Sequence, residues 1–303
     1  MTTVAAQYVV FGEALTDFIR ESDDTWRAIA GGSCWNVARV GARLGIPTGY
    51  AGAVSRDLFG DELMRLSRAA GLDLRFTQQL DKAPFLAMVA EKNPPSYFFI
   101  GNDSADVNFE PSKLPTGWLE AASIVHFGSI SLVRQPLARR LVELAGEAHR
   151  AGKRIAFDPN CRNLMDQGYR PTLERMTRLA DFIKVSDEDL RLLFPELTEL
   201  EAVAHMRAWA PAASIMLTRG GSGMQLLSPA GSWRQDAIRV EVADTVGAGD
   251  ASMGGWMASH LLAPHAPPEH HLAFAAATAA AACRVSGAYA PTRSEVESLL
   301  TPG

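Results

Sequence analysis

Cysteine is scarce in this sequence: Cys34, Cys161 and Cys283 lie far apart, with no CxxC pair. An odd, scattered set excludes a disulfide framework and fits a reducing cytoplasm, with each thiol serving as a small buried apolar group. Charge of one sign is not clustered. The formal net charge is −5 with no basic block, which argues against a nucleic-acid partner. Long apolar runs are missing; the alanine-rich stretch 274–283 is too short and too weakly apolar to span a membrane. Residues 1–7 lack the charged and apolar regions of a signal peptide, so a cytoplasmic protein is expected. The seven histidines show no HExxH or paired-ligand spacing, and His270-His271 reads as a solvated helix start. No GxGxxG follows the first apolar run, which speaks against a dinucleotide-binding dehydrogenase. Internal repeats and low-complexity linkers are absent as well.

What is present is an ordinary globular composition, 47% hydrophobic and 21% charged over 303 residues. Short apolar runs at 8–11 and 14–19 predict strands, the second with Asp17 inside it. Asp17 there is either a solvated edge residue or a holder of ligand hydroxyls. Helical spacing follows Gly31-Gly32-Ser33 over 34–44, then a strand over 50–54 and a helix that Asp57 caps and Gly71 ends. Runs 85–91 and 96–100 flank Lys92-Asn93-Pro94-Pro95 and predict a hairpin-like insertion, either a lid or an edge meander. From Ser123 the alternation is regular. Strands are expected at 124–127, 155–157, 182–185, 215–218 and 224–227. Helices are expected at 136–151, 173–180, 199–209, 251–262, 272–285 and 294–300. Such alternation predicts an α/β fold with a mainly parallel sheet covered on both faces, and ligands beyond the carboxyl ends of its strands.

One stretch stands out, Asp244-Thr245-Val246-Gly247-Ala248-Gly249-Asp250. Alternating residues 238–242 before it predict a strand, and helical spacing follows it. A small-residue loop opening a helix aims backbone N–H groups at an anion. A carboxylate beside a bound phosphate is repelled by it, and one good reason for its presence is a hydroxyl that must attack the phosphate. The alternative is a glycine turn with an acid favoured by the helix dipole. Other polar or glycine-rich strand ends fall on the same rim: Gly31-Gly32, 158–162, 186–189 and 219–223.

These residues resemble the ribokinase-like (PfkB-type) carbohydrate kinases along nearly the whole chain. The signature Asp-Thr-x-Gly-Ala-Gly-Asp is complete at 244–250, and a looser N-terminal signature is found in Gly31-Gly32, Asn36, Gly52, Asp57, Phe59 and Gly60. Gly12-Glu13 with Asp17, Asp158-Pro159-Asn160 with Arg162, Lys184-Val185-Ser186 and Arg219-Gly220-Gly221 look most like fructokinase. The resemblance implies a three-layer α/β/α sandwich over 1–303 with a small β lid from segments near 13–30 and 84–101. It implies transfer of the ATP γ-phosphoryl group to a sugar hydroxyl, with Mg²⁺ and, in some relatives, a monovalent cation such as K⁺. A homodimer through the hairpin is common among such proteins.

By the same resemblance Asp250 is the catalytic base, and Gly247, Ala248 and Gly249 form an anion hole with Arg162 as a cationic clamp. Asp17, Gly31, Gly32 and Asn36 bind the sugar, and Phe98 either packs on it or belongs to the hairpin's own core. Lys184, Ser186, Thr218, Gly220 and Gly223 line the nucleotide side. Asp189 helps hold Mg²⁺ through water. The turn at Ser286-Gly287 borders the adenine or a cation site. Departures fall at Ser33-Cys34-Trp35, with the bulky Trp35 expected near the sugar, and at Ser55 and Ser252-Met253. Rival readings are kinases of 2-keto-3-deoxygluconate, ribose or a nucleoside, and a non-catalytic sensor of sugar or nucleotide. An aromatic-aromatic-arginine run expected for the acidic sugar is replaced by Phe98-Phe99-Ile100.

Overall fold

A computed structural model describes residues 5–92 and 95–300. The first half runs β1 (Tyr8–Phe11), β2 (Leu15–Arg20), β3 (Trp26–Gly31), α1 (Ser33–Arg43), β4 (Thr48–Ser55), α2 (Leu58–Ala70), β5 (Thr77–Leu80), β6 (Leu86–Lys92), β7 (Pro95–Ile100) and α3 (Trp118–Ala121). Next come β8 (Ile124–Gly128), α4 (Leu137–Arg150), β9 (Arg154–Asp158), α5 (Arg170–Leu179), β10 (Phe182–Ser186), α6 (Asp187–Leu193) and α7 (Glu199–Trp209). The chain then finishes with β11 (Ser214–Thr218), β12 (Met224–Ser228), β13 (Gly231–Gln235), α8 (Ala248–Leu262), α9 (Pro268–Cys283) and α10 (Arg293–Leu300).

Among the described residues nine strands form one sheet in the order β13-β12-β11-β10-β9-β8-β1-β4-β5. Every pairing from β5 across to β11 is parallel, and only the pairings β11–β12 and β12–β13 are antiparallel, so β12 alone runs against the rest. The strands are apolar on both faces because helices cover both. One apolar cluster packs α4, α5 and α7 on one face, through residues such as Leu141, Met176 and Met206. The other packs α1, α8 and α9 on the opposite face, through Trp35, Trp256 and Ala277. Glycine lets α8 sit close: a Cβ on Gly254 would meet Val40 at 2.7 Å, and one on Gly255 would meet Thr278 at 2.4 Å.

A second, four-stranded sheet has the order β3-β2-β6-β7. It comes from the two segments expected to form the lid. Leu15, Phe85, Ala87 and Ile130 make its own small core, and Arg134 anchors its root by reaching both Asp106 and the Gly101 carbonyl.

Three expectations change. Residues 238–242 are not a strand. Ile238, Val240 and Val242 instead turn toward a cleft, so the alternation records one lined wall rather than a pleated ladder. Trp35 does not approach a sugar; it is wholly buried, its indole N–H donates to Ser67 Oγ at 2.9 Å, and Arg39 stacks on it at 4.4 Å. His271 is buried rather than solvated, stacked on His260 with ring centroids 3.8 Å apart. The two histidines lie at facing ends of α8 and α9, a long-range pairing that local spacing does not reveal.

Candidate active site

The glycine turn leads directly into α8. Gly247 has φ 77°, a left-handed conformation, and a Cβ there would stand 2.8 Å from Ala288. Asp244 holds the turn from below, accepting from Val246 N at 3.1 Å and Gly287 N at 2.9 Å. Asp250 falls in the first turn of α8 and is nearly buried. Its carboxylate is held from both sides by α1: Ser33 Oγ donates to Oδ1 at 2.6 Å and Asn36 Nδ2 donates to Oδ2 at 2.9 Å. Burial raises its pKa, and these two hydrogen bonds together with Lys184 and Arg162 oppose the rise.

Beside this turn lies a cleft of about 550 Å³, within the usual range for a small-molecule site. Arg162, Lys184, Ser186, Asp189, Thr218, Gly220, Gly223, Gly247, Ala248, Gly249 and Asp250 all border it. Asn160 helps place Arg162. It has φ 39°, a left-handed turn that asparagine tolerates, and its N–H is taken by Asp158 Oδ1 at 3.0 Å. Lys184 lies beneath the turn, with Nζ 3.2 Å from where a Cβ on Gly249 would be. Burial works against its charge, but Asp158, Asp189 and Asp250 keep its pKa above the ordinary value.

Asp189 is the N3 partner of a capping box. Its Oδ2 accepts from both Ser186 N and Ser186 Oγ, at 2.8 and 2.7 Å, while Oδ1 accepts from Cys161 N at 2.7 Å. It therefore ties the start of α6 to the loop after β9. Among the described residues no group of three or more His, Cys, Asp or Glu makes a metal cage. The donor set still fits Mg²⁺, which keeps most of its waters and binds through one or two carboxylates and substrate phosphates. Asp189 has one acceptor position left on Oδ1, and Asp187 and Glu188 also border the cleft.

Asp17 and Asn36, expected on the sugar side, both lie near Asp250. Asp17 projects from β2 toward Arg162 and Asp250; burial raises its pKa to about 6, eased by Arg162 and reinforced by Asp250. Gly31 leaves room for it, since a Cβ there would stand 2.4 Å from Asp17 Oδ2. Gly32, at φ 110°, brings the start of α1 against the Glu13 carbonyl. Phe98 is not brought to the site. It pairs with Met88, which pairs with Phe18, and it is 67% exposed. Asp17 instead pairs with Ala87 and Ala87 with Phe99, so Phe99 shares the face of Asp17. A one-residue slip in a strand changes the face.

Ser286 and Gly287 do not border the cleft either. Its apolar wall is Ala276, Ala279, Ala280 and Cys283 of α9 facing Ile238, Val240 and Val242. Sequence reading missed that wall because alanine in a helix signals packing, not a ligand. It also passed over Ser33, although Ser33 and Asn36 are spaced i, i+3 and therefore share one helix face.

A mostly parallel sheet with this anion turn and buried carboxylate at its rim defines a phosphotransferase of ribokinase-like fold. The pfkB family carbohydrate kinase profile matches residues 5–295, and the chain belongs to that family. It is similar to a fructokinase of Klebsiella pneumoniae, 30% identical over 88% of this chain and 87% of that protein. It is also similar to a probable chloroplastic fructokinase-6 of Arabidopsis thaliana, 29% identical over 99% of this chain and 84% of that protein. The solved fructokinase of Xylella fastidiosa with bound ATP superposes with a TM-score of 0.88 at 28% identity, covering 97% and 98% of the two chains. The protein is accordingly an ATP-dependent carbohydrate kinase. Among the described residues no helix is long and apolar enough to cross a membrane.

Proposed function

We propose that the chain phosphorylates a hydroxyl of fructose or a close ketose, with Asp250 as the base. The observation that carries this reading is the position of Asp250. Its carboxylate borders the cleft, accepts from Asn36 and lies close enough to Asp17 for the two charges to oppose each other. Phosphoryl transfer proceeds through a loose transition state, so the protein's task is positioning and charge stabilisation. The acceptor hydroxyl donates to Asp250, which orients it and takes its proton late. Its oxygen forms a bond to the γ-phosphorus as the bond to the β–γ bridging oxygen breaks and ADP leaves. The N–H groups of Gly247 and Gly249 face the charge that builds on the transferred group, while the Ala248 N–H, expected to join them, donates to the Thr245 carbonyl at 3.2 Å; Arg162 and Lys184 supply positive charge nearby. Asp189 and Glu188 would hold Mg²⁺ through its waters, and the ion would supply positive charge against the phosphates. The relatives named fructokinase favour a ketose.

The test is ADP release with Mg-ATP over fructose, ribose, 2-keto-3-deoxygluconate and nucleosides, alongside Asp250→Asn. Fructose or a close ketose should give the largest kcat/KM, and the variant should bind ATP without turnover. An undiminished Asp250→Asn would remove the base assignment. Arg162→Met should lower kcat more than ATP affinity, and unchanged kinetics would count against the clamp.

A further inference from the structure

We infer that Ser33 is a positioning residue for the Asp250 carboxylate: its hydroxyl fixes one oxygen of the base and holds the group ionised and aimed at the acceptor. The role in turnover rests on the reading of Asp250 as the base. The contact itself, 2.6 Å from Ser33 Oγ to Asp250 Oδ1, has the length usual for a hydroxyl donating to an ionised carboxylate.

The start of α1 is fixed, so this contact is not a chance of side-chain rotation. Ser33 N donates to Glu13 Oε1 at 3.1 Å, and Trp35 N donates to the Glu13 carbonyl at 3.3 Å. The Trp35 indole is pinned to Ser67 in α2. Gly32 cannot carry a side chain, since a Cβ would stand 2.7 Å from the Glu13 carbonyl oxygen. With the helix start locked, Ser33 and Asn36 present two donors on one face, one to each oxygen of Asp250. A carboxylate offers about four acceptor positions, so room remains for the sugar hydroxyl.

The surroundings explain why such a donor is needed. Glu13 before β2, Asp17 on β2 and Asp158 at the end of β9 each disfavour a further negative charge near Asp250. Lys184 on β10 and Arg162 after β9 favour it, and the Cys34 thiol of α1 also faces this charge. Lys184 is committed to Asp158 at 3.0 Å. Ser33 is a neutral donor whose support for the carboxylate does not change as its neighbours titrate.

The experiment titrates Asp250 directly, by carboxyl ¹³C NMR of protein labelled at aspartate, with its resonance assigned by loss in Asp250→Asn. Ser33→Ala should raise the Asp250 midpoint by about one pH unit, the effect of one hydrogen bond to a charged group. Ser33→Thr, which keeps the hydroxyl, should stay at the wild-type midpoint. In turnover, Ser33→Ala should move the acidic limb of kcat/KM upward by the same amount and lower kcat about tenfold with the KM for ATP unchanged. Ser33→Val, matched in shape to threonine, repeats the comparison if alanine loosens the helix start. An unmoved midpoint in both Ala and Val variants overturns the inference. Full turnover by Asp250→Asn would instead remove the base reading and leave the NMR result standing.

Discussion

Lys184 Nζ lies 3.0 Å from Asp158 Oδ2, and both side chains are almost wholly withdrawn from solvent, Asp158 at the end of β9 and Lys184 in the middle of the adjacent parallel strand β10. A buried pair of this kind is weak evidence of net stabilisation, because two charges have lost their hydration. Breaking it is another matter. The pair also sets a positive charge under the glycine turn, so it couples the sheet to that turn.

Removing one partner should therefore separate folding from turnover. Lys184→Met leaves Asp158 buried without its cation and should cost about 3–5 kcal/mol of unfolding free energy in urea. The double variant Lys184→Met/Asp158→Leu should recover most of that stability while turnover stays low. Recovery of both together would show that the pair serves the fold alone.

Glu13 should make stability depend on pH in a defined sense. It is buried, its Oε1 accepts from Ser33 N, and the Ser129 and Ser131 hydroxyls offset only part of what burial does to its charge. Burial raises its pKa from 4.5 to about 7. A carboxyl whose folded pKa lies above its unfolded value contributes stability that is complete below the unfolded pKa and is lost as pH rises through the folded one. Glu13→Gln lacks this titration. Relative to wild type it should gain up to about 3 kcal/mol between pH 4.5 and 8, measured by urea unfolding at each pH. Parallel profiles would place the titration elsewhere.

The parts of this fold that were readable share a physical reason. Asp57 caps α2 through Phe59 N and Gly60 N, and Gly71 ends it with φ 83°; both effects are local and both were legible. The parallel core strands were readable for the same reason, since short apolar runs between amphipathic helices leave few alternatives. The misreadings all depend on what lies across space. Residues 238–242 alternate because one side faces a cleft, Trp35 is claimed by Ser67 of a neighbouring helix, and the faces of Phe98 and Phe99 are set by pairing to β6. Asp250 was legible because its motif is contiguous. Its two holders, 217 and 214 residues away, could be seen only once α1 and α8 were packed.

Arg134 should govern the root of the small sheet. Its Nε donates to Asp106 Oδ2 at 2.8 Å, its guanidinium lies 3.9 Å from the centre of the Phe85 ring, and it also reaches the Gly101 carbonyl. Asp106 is wholly buried, so Arg134→Met strands a carboxylate and should cost about 3–5 kcal/mol. Hydrogen exchange should quicken first in β6 and β7, before the nine-stranded sheet, because their anchor is gone. Uniform exchange across both sheets would mean that Arg134 stabilises the whole chain rather than this junction.

Two glycines of the anion turn should respond differently to alanine. Gly247 has φ 77°, where an L-residue costs about 1–2 kcal/mol, and its Cβ would stand 2.8 Å from the backbone Cα of Ala288. Backbone cannot swing aside as a side chain can. The turn at Ser286–Ala288 must move, and with it the Gly287 N–H that holds Asp244. Gly247→Ala should therefore lower Tm, weaken ATP binding and reduce kcat together. Gly249 lies inside α8, where alanine is the better helix former by about 1 kcal/mol. Its Cβ would meet only the flexible end of Lys184, 3.2 Å away. Gly249→Ala should keep or raise Tm yet lower kcat, because the methyl group displaces the lysine ammonium from the phosphate side. Thermal melts, ATP titration and initial rates on the two variants decide the matter. Equal losses of Tm in both would mean that the turn tolerates no side chain anywhere, and that Lys184 is not the group that yields.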